Sequence, residues 1–99
     1  MTEPKRRAAG RPATGKPSGG HSQSLVRGLN LLELLAASPG GLALSEVAEQ
    51  AELAPSTTHR LLQALHSQGF IFHNAELGVW KIDVKTFRIG NSFLEARDF

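Results

Sequence analysis

The spacing of apolar residues in this chain changes at Gly69, from a period near 3.6 to a period near 2. Before Gly69, leucine and alanine recur every three or four residues, as in amphipathic α-helices. After it, residues 70–73 and 79–82 are rich in β-branched and aromatic side chains, which favours β-strands. The order therefore predicts a mainly α-helical fold in which helices are followed by a β-hairpin.

Residues 38–41 (Ser-Pro-Gly-Gly) end the first predicted helix, because proline and glycine both interrupt helical hydrogen bonding. A short apolar link follows, and the second helix begins at Ala43 or Ser45. The first helix is expected to bury an apolar stripe at helical spacing, formed by Leu25, Leu29, Leu32 and Leu35 or Ala36 and widened by Val26, Leu31 and Leu34. The second is only about two turns long, and it is expected to bury Val47, Ala48 and Ala51.

Pro55 opens a third helix, since proline suits the first helical position, and Gly69 marks its end. The second and third helices are joined by a short turn at residues 52–54, and this pattern predicts a helix-turn-helix at about residues 44–64. A hairpin with its loop at residues 74–78 then follows as a wing, so the expected fold is a winged helix-turn-helix: a three-helix bundle plus a β-hairpin. The third helix is expected to bury Thr58, Leu61, Leu62 and Leu65.

Charge divides the chain into two parts. Residues 1–23 contain five Lys or Arg and one Glu, whereas residues 24–99 contain six basic and eight acidic residues. Because residues 1–21 also lack an apolar period, we expect them to form a disordered basic arm. The winged helix-turn-helix is predicted at residues 22–84, and a linker helix at residues 85–99, on the spacing of Phe87, Ile89, Phe93 and Leu94.

Several classes of protein are excluded by what the sequence lacks. No apolar run reaches the roughly 18 residues that span a membrane. The basic N-terminus is not followed by the apolar stretch of a secretory signal, so a cytoplasmic chain is expected. Without cysteine there is no disulfide, thiolate metal site or cysteine nucleophile. A core of this size leaves little room for a substrate cleft, and neither an enzyme nor a cofactor is predicted.

The third helix has an exposed face without carboxylates. No Asp or Glu occurs between Leu53 and Ala75, although the folded part around this stretch is net acidic. A helix that enters a phosphate-lined groove must exclude carboxylates, so the pattern predicts contact with double-stranded DNA. The exposed residues of this helix are expected to be Ser56, Thr57, His59, Arg60 and Gln63.

Each of these side chains has a chemical reason to contact DNA. Ser56 and Thr57 lie in the first turn, where hydroxyl and backbone N–H groups hold a phosphate. Arg60 suits guanine and Gln63 suits adenine, each through two hydrogen bonds. The ordinary alternatives are helix-start residues for Ser56 and Thr57 and solvated surface for Arg60 and Gln63.

The hairpin and the arm supply further candidates. His73 and Lys81 are candidates for contacts of the wing with the DNA backbone or minor groove, and Arg11 for insertion of the arm into an adjacent minor groove. A flexible solubilising leader is the alternative for the arm. The histidines at positions 59, 66 and 73 are not expected to bind a metal, because no carboxylate or thiolate completes the site. The hydrophobic strand residues are predicted to be core: Phe70, Phe72, Trp80 and Ile82.

Five segments occur in an order and at separations that fit one known family. They are residues 23–29 (QSLVRGL), 44–51 (LSEVAEQA), 56–62 (STTHRLL), 68–70 (QGF) and 76–80 (ELGVW). Together they resemble the N-terminal winged-helix domain of IclR-family transcriptional regulators, over roughly residues 22–99. Glu52 stands where that family usually has glycine.

The resemblance implies a dimeric or tetrameric repressor that binds a palindromic operator, on genes like those of acetate use and the glyoxylate bypass. It implies that the third helix reads the major groove, and that Arg27 contacts the DNA backbone. It also implies a C-terminal effector-binding domain for a small metabolite, which is missing here and to which the last helix would be the linker. We expect a cytoplasmic, nucleoid-associated regulator.

A winged helix used for protein interaction or dimerisation is the competing interpretation. It predicts apolar residues at the exposed positions of the third helix, yet positions 56, 59, 60 and 63 are all polar.

Overall fold

The computed structural model describes residues 22–96, and within this range the chain forms four helices and one antiparallel two-stranded hairpin. The predicted arm with Arg11, and the last three residues of the predicted linker helix, lie outside the described residues. The mainly helical winged-helix fold expected from the sequence is confirmed. The elements are α1 (Gln23–Ala36), α2 (Leu44–Ala51), α3 (Pro55–Ser67), β1 (Ile71–Asn74), β2 (Val79–Ile82) and α4 (Val84–Ala96).

Helix starts follow from local hydrogen bonds. The Ser22 hydroxyl accepts a hydrogen bond from the backbone N–H of Leu25 at 3.2 Å and caps α1. At α2 the Glu46 carboxylate accepts from the N–H of Ala43 at 2.8 Å, so the helix begins at Leu44, between the two predicted starts. Proline occupies the first turn of α3 as predicted.

The core lies where the first three helices meet the hairpin. Each of these elements contributes at least one side chain with 8% or less of its surface exposed, and the buried Thr58 hydroxyl is satisfied by the Ala54 carbonyl at 3.0 Å. No helix among residues 22–96 is long and apolar enough to cross a membrane. The apolar side chains of the core are Leu31, Leu35, Leu42, Val47, Leu62, Ile71 and Trp80.

The predicted buried stripe of α1 is wrong at its N-terminal end. Leu31 and Leu35 are fully buried as expected, but Leu25 is 61% exposed and Leu29 is 50% exposed. The reason is that α1 carries leucine on two faces, and only the face through Leu31 and Leu35 packs on α2 and α3. Apolar spacing alone does not decide between two such faces.

The hairpin is confirmed, but its first strand begins one residue later than expected. Ile71 is buried and Phe72 is 43% exposed, so the prediction of Phe72 as core is wrong. Pairing of Ile71 with Ile82 puts these two on the core side, and pairing of Phe72 with Lys81 puts those two on the opposite face. A shift of one residue exchanges the faces of every side chain in a strand.

Helix α4 is attached to the hairpin at its N-terminal end. The carbonyl of Phe70 accepts hydrogen bonds from the Thr86 hydroxyl at 2.7 Å and from the N–H of Asp83 at 3.0 Å. Lys85 donates to the carbonyl of Gln68 at 2.8 Å, and its Nζ lies 5.0 Å from the centre of the Phe70 ring. Because α4 buries none of its residues, it is held by these few contacts and exposes its apolar side chains.

A glycine lets the loop after α1 approach β2. The main chains of Leu42 and Trp80 exchange two hydrogen bonds, of 2.8 and 3.0 Å. The preceding Gly41 has a φ of +96°, and a Cβ there would lie 2.8 Å from side-chain carbons of both Lys81 and Val79. Both the backbone angle and the close approach therefore require glycine at this position.

Substitution Gly41→Ala should lower the free energy of unfolding by about 1–3 kcal/mol, because it adds a strained φ and a steric clash. Gly40→Ala is the matched control, since a Cβ at Gly40 meets nothing within 4 Å. Urea unfolding followed by circular dichroism measures both variants. Equal losses in the two, or no loss at Gly41, would contradict this account of the loop.

Candidate nucleic-acid interface

Helix α3 turns one polar face to solvent. Thr58 and Leu62 point into the core, while Ser56, His59, Arg60 and Gln63 are exposed and Thr57 is half-buried. At 3.6 residues per turn, positions 56, 60 and 63 lie at the centre of the exposed face, and positions 57 and 59 lie on its two flanks. The structure thus brings together the five α3 residues named from the sequence.

The N-terminus of α3 offers unpaired donors. Its N-cap is Ala54, whose side chain cannot accept a hydrogen bond, and Pro55 has no N–H. The next two residues, Ser56 and Thr57, therefore have backbone N–H groups without a helical acceptor, next to their own hydroxyls. With no acidic residue in the first turn, this end of the helix suits an anion such as a phosphate.

The turn before α3 depends on a left-handed residue. Glu52 has a φ of +58°, and its N–H donates to the carbonyls of Ala48 and Glu49. The N–H of Leu53 also donates to Ala48, at 3.0 Å. These bonds close the end of α2 and set the direction in which α3 leaves the turn. The left-handed conformation explains why glycine suits this position.

Arg27 lies beside the same turn. It is half-buried on α1 and lines, with Glu52 and Leu53, a groove of about 600 Å³ between α1 and the α2–α3 turn. The predicted backbone contact therefore lies next to the segment that leads into α3.

Trp80 connects α3 to the hairpin. It is only 5% exposed, and the rings of His59 and His66 meet its ring nearly edge-on, with centroids 6.2 and 6.0 Å away. The His73 ring lies closer, at 4.3 Å and tilted by 34°. Among residues 22–96, no three His, Asp or Glu side chains are grouped so that they could hold a metal ion.

Sequence reasoning missed this role of Trp80, which it assigned to the core alone. One signal was present: the seven-residue spacing of His59 and His66 corresponds to two helical turns and places both on one flank of α3. That this flank faces the hairpin depends on how α3 packs, which the spacing does not contain.

The two hairpin candidates lie on different faces. His73 pairs with Trp80 and lies on the side of the hairpin that faces α3. Lys81 pairs with Phe72 on the opposite face, and the aliphatic part of its side chain lies against Gly41. The structure therefore places His73 next to the polar face of α3 and places Lys81 away from it.

Two of the α3 candidates, His59 and Gln63, form a hydrogen bond with each other. The Nε2 atoms of His59 and Gln63 are 3.2 Å apart, one helical turn from each other on the exposed surface. The sequence spacing permits this contact, but only the side-chain geometry shows it.

The family model of the IclR helix-turn-helix domain matches residues 24–74 of this chain. The chain is 47% identical over 95 residues to the acetate operon repressor of Salmonella typhimurium, which is 96% of this chain and 35% of that protein. It is 51% identical over 82 residues to the transcriptional repressor IclR of Escherichia coli, which is 83% of this chain and 30% of that protein.

Among solved structures, HmgR of Pseudomonas aeruginosa superimposes with a TM-score of 0.69 at 32% identity, over 78% of this chain and 32% of that one. The chain spans about a third of the length of the relatives it matches. Both relatives are named as repressors, and neither is named as an enzyme.

Proposed function

The chain belongs to the IclR helix-turn-helix family, and we propose that it is the sequence-specific DNA-binding part of a transcriptional repressor. The observation that carries this proposal is the exposed face of α3, which is polar and lies in a stretch without any carboxylate between Leu53 and Ala75. Its regulated genes are proposed to resemble the acetate operon and the glyoxylate bypass, since one relative is the acetate operon repressor. The proposed place of action is the cytoplasm, on nucleoid DNA.

In this proposal α3 enters the major groove of duplex DNA. Ser56 and Thr57 bind a phosphate through their hydroxyls and free N–H groups, which fixes the register of the helix. Arg60 and Gln63 lie three and six positions after Thr57, on the exposed face, and their side chains are long enough to reach base edges. Arginine pairs best with guanine and glutamine with adenine, and these contacts supply the sequence preference.

The other candidates position α3 on the DNA. Arg27, beside the turn into α3, contacts a phosphate, and His73 contacts the backbone where the hairpin adjoins α3. Lys81, on the far face of the hairpin, is assigned to a phosphate further along. Arg11, in the arm at residues 1–21, adds attraction and enters a neighbouring minor groove.

We propose the following division of the chain: a DNA-binding domain at residues 22–84 and a linker helix at residues 85–99. The relatives are about three times as long as this chain. An effector-binding domain for a small metabolite after the linker is part of the proposal.

The competing interpretation, an interaction module that uses α3, has little support in the structure. The four α3 positions at which that interpretation predicts apolar residues are Ser56, His59, Arg60 and Gln63, and all four are exposed and polar. An interaction helix would carry apolar side chains at these positions. Exposed apolar side chains are found on α1 and α4 instead.

These exposed side chains on α1 and α4 form the proposed contact between two copies of the chain. Leu25 and Leu29 on α1 are half-exposed or more, and two apolar grooves of about 350 and 290 Å³ share Leu29 and Leu32. On α4, Val84, Phe87, Ile89 and Leu94 are each more than half exposed. Exposed apolar side chains and grooves of this kind mark an association site. Two copies joined there would present two α3 helices to the half-sites of a palindromic operator, and a tetramer would pair two such dimers.

The proposed dimer surface predicts that self-association can be weakened without a change in affinity for a single half-site. Leu29→Gln should shift the chain towards the monomer in sedimentation velocity and weaken binding to a two-half-site duplex about tenfold or more, since linked binding sites gain from effective concentration. Its affinity for a single half-site should not change. Leu77→Gln in the hairpin loop is the control, because Leu77 is 72% exposed and lies outside this surface. An unchanged monomer–dimer equilibrium in Leu29→Gln would refute the assignment.

The reading role of Arg60 is tested by comparing specific with random DNA. A site would first be selected with the whole chain from a pool of random duplexes. Arg60→Ala should then cost about 1–3 kcal/mol on that site and relax the preference at one base position, because two hydrogen bonds to a base are lost.

Arg88→Ala removes the same charge from the exposed surface of α4 and serves as the control. It should weaken specific and random binding only slightly and to the same extent. Equal losses on specific and random DNA in Arg60→Ala would contradict base reading, and a failure to select any preferred site would contradict the proposed function as a whole.

A further inference from the structure

His59 and Gln63 form a pair on the exposed face of α3. Their Nε2 atoms lie 3.2 Å apart, within hydrogen-bonding distance. Gln63 lies near the centre of the face and His59 on the flank towards the hairpin. Both are exposed, so a bound base can reach the part of the Gln63 amide that His59 does not use.

Trp80 limits the positions that His59 can take. The His59 ring meets the Trp80 ring at 78°, with centroids 6.2 Å apart, and Trp80 is fixed by its main-chain bonds to Leu42. The exposed His59 ring thus makes an edge contact with Trp80 on one side and a hydrogen bond to Gln63 through Nε2.

In neutral His59, Nε2 accepts one N–H of the Gln63 amide when the ring proton is on Nδ1. The Gln63 carbonyl oxygen and its second N–H then remain for the DNA. One acceptor beside one donor matches the N6 amino group and N7 of adenine.

In protonated His59, Nε2 carries a hydrogen and can only donate. The Gln63 amide must then turn so that its carbonyl oxygen accepts this hydrogen bond, which leaves the NH₂ group for the DNA. Two donors match N7 and O6 of guanine and have no match on adenine N6.

We propose that His59 is a positioning residue that determines which hydrogen-bonding group Gln63 presents to a base. The base preference at this position of the site then belongs to the His59–Gln63 pair and changes with the charge of His59. This inference rests on the proposed function, since it assumes that α3 reads the major groove.

Several titratable or charged side chains lie around His59, on α3 and on the hairpin. The other titratable side chains that contact Trp80 are His66 on α3 and His73 on β1, and the charged neighbour on α3 is Arg60. No carboxylate is present on α3 or β1 to form an ion pair with a protonated His59. A histidine side chain changes charge between about pH 5 and pH 8, so this range is the one to examine.

The experiment selects preferred sites from random duplexes with the whole chain at pH 8.0 and at pH 5.5. At the position read by Gln63, identified by its loss in Gln63→Ala, adenine should be preferred roughly tenfold over guanine at pH 8.0, and the preference should move towards guanine at pH 5.5. His59→Phe keeps a ring against Trp80 but removes Nε2. It should reduce the preference at this position to about twofold or less at both pH values, and leave the preference at the Arg60 position intact.

His59→Lys supplies a permanent donor and should favour guanine at both pH values. His66→Phe, which changes the equivalent ring contact on the same flank, should retain the pH-dependent change of the wild-type chain. These outcomes distinguish positioning of Gln63 from a general structural role, because a structural defect would alter all positions of the site together.

The inference is overturned if the wild-type preference is the same at both pH values, or if His59→Phe retains the change. In either case a selected site with an Arg60-dependent position still supports the proposed function. If no site is selected at either pH, the proposed function itself fails, and this inference fails with it.

Discussion

The packing of Trp80 is the contact on which the rest of the structure depends. Its main chain pairs with Leu42 in the loop after α1, and its nearly buried side chain contacts the rings of His59 and His66 on α3 and of His73 on β1. One residue therefore joins the loop after α1, helix α3 and the hairpin. These ring contacts on the flank of α3 add to the packing of its buried Thr58 and Leu62 and of its partly buried Leu61 and Leu65, and they join the helix to the hairpin.

The proposed function assigns attraction, reading and association to different parts of the chain. The described part carries an excess of acidic residues, and the surplus of positive charge lies in residues 1–23. What suits α3 to DNA is the absence of carboxylates from its exposed face rather than a high positive charge. Most of the exposed large apolar side chains among residues 22–96 lie on α1 and α4. In the proposed repressor each surface can be altered separately, since no side chain is shared between the face of α3 and the apolar surface.

Much of this was predictable from local signals, and the exceptions have physical causes. Pro55 and Gly69 mark the ends of α3 because each has backbone constraints that act within a few residues. The prediction is wrong at the N-terminal end of the α1 stripe and at Phe72 of β1. Leucine occurs on two sides of α1, and both Ile71 and Phe72 are apolar, so tertiary packing decides which side chains are buried. The bond between His59 and Gln63 and the contacts of Trp80 depend on side-chain directions that spacing does not specify.

The central claim is that the exposed face of α3 is the surface that meets DNA. Nuclear magnetic resonance of the whole ¹⁵N-labelled chain, titrated with a selected duplex, tests it most directly, because each backbone amide reports its own surroundings. The account predicts the largest amide shifts at residues 56–63, with smaller ones near Arg27 and His73. Shifts centred on α4, or on the Phe72 and Lys81 face of the hairpin, with residues 56–63 unchanged, would contradict it.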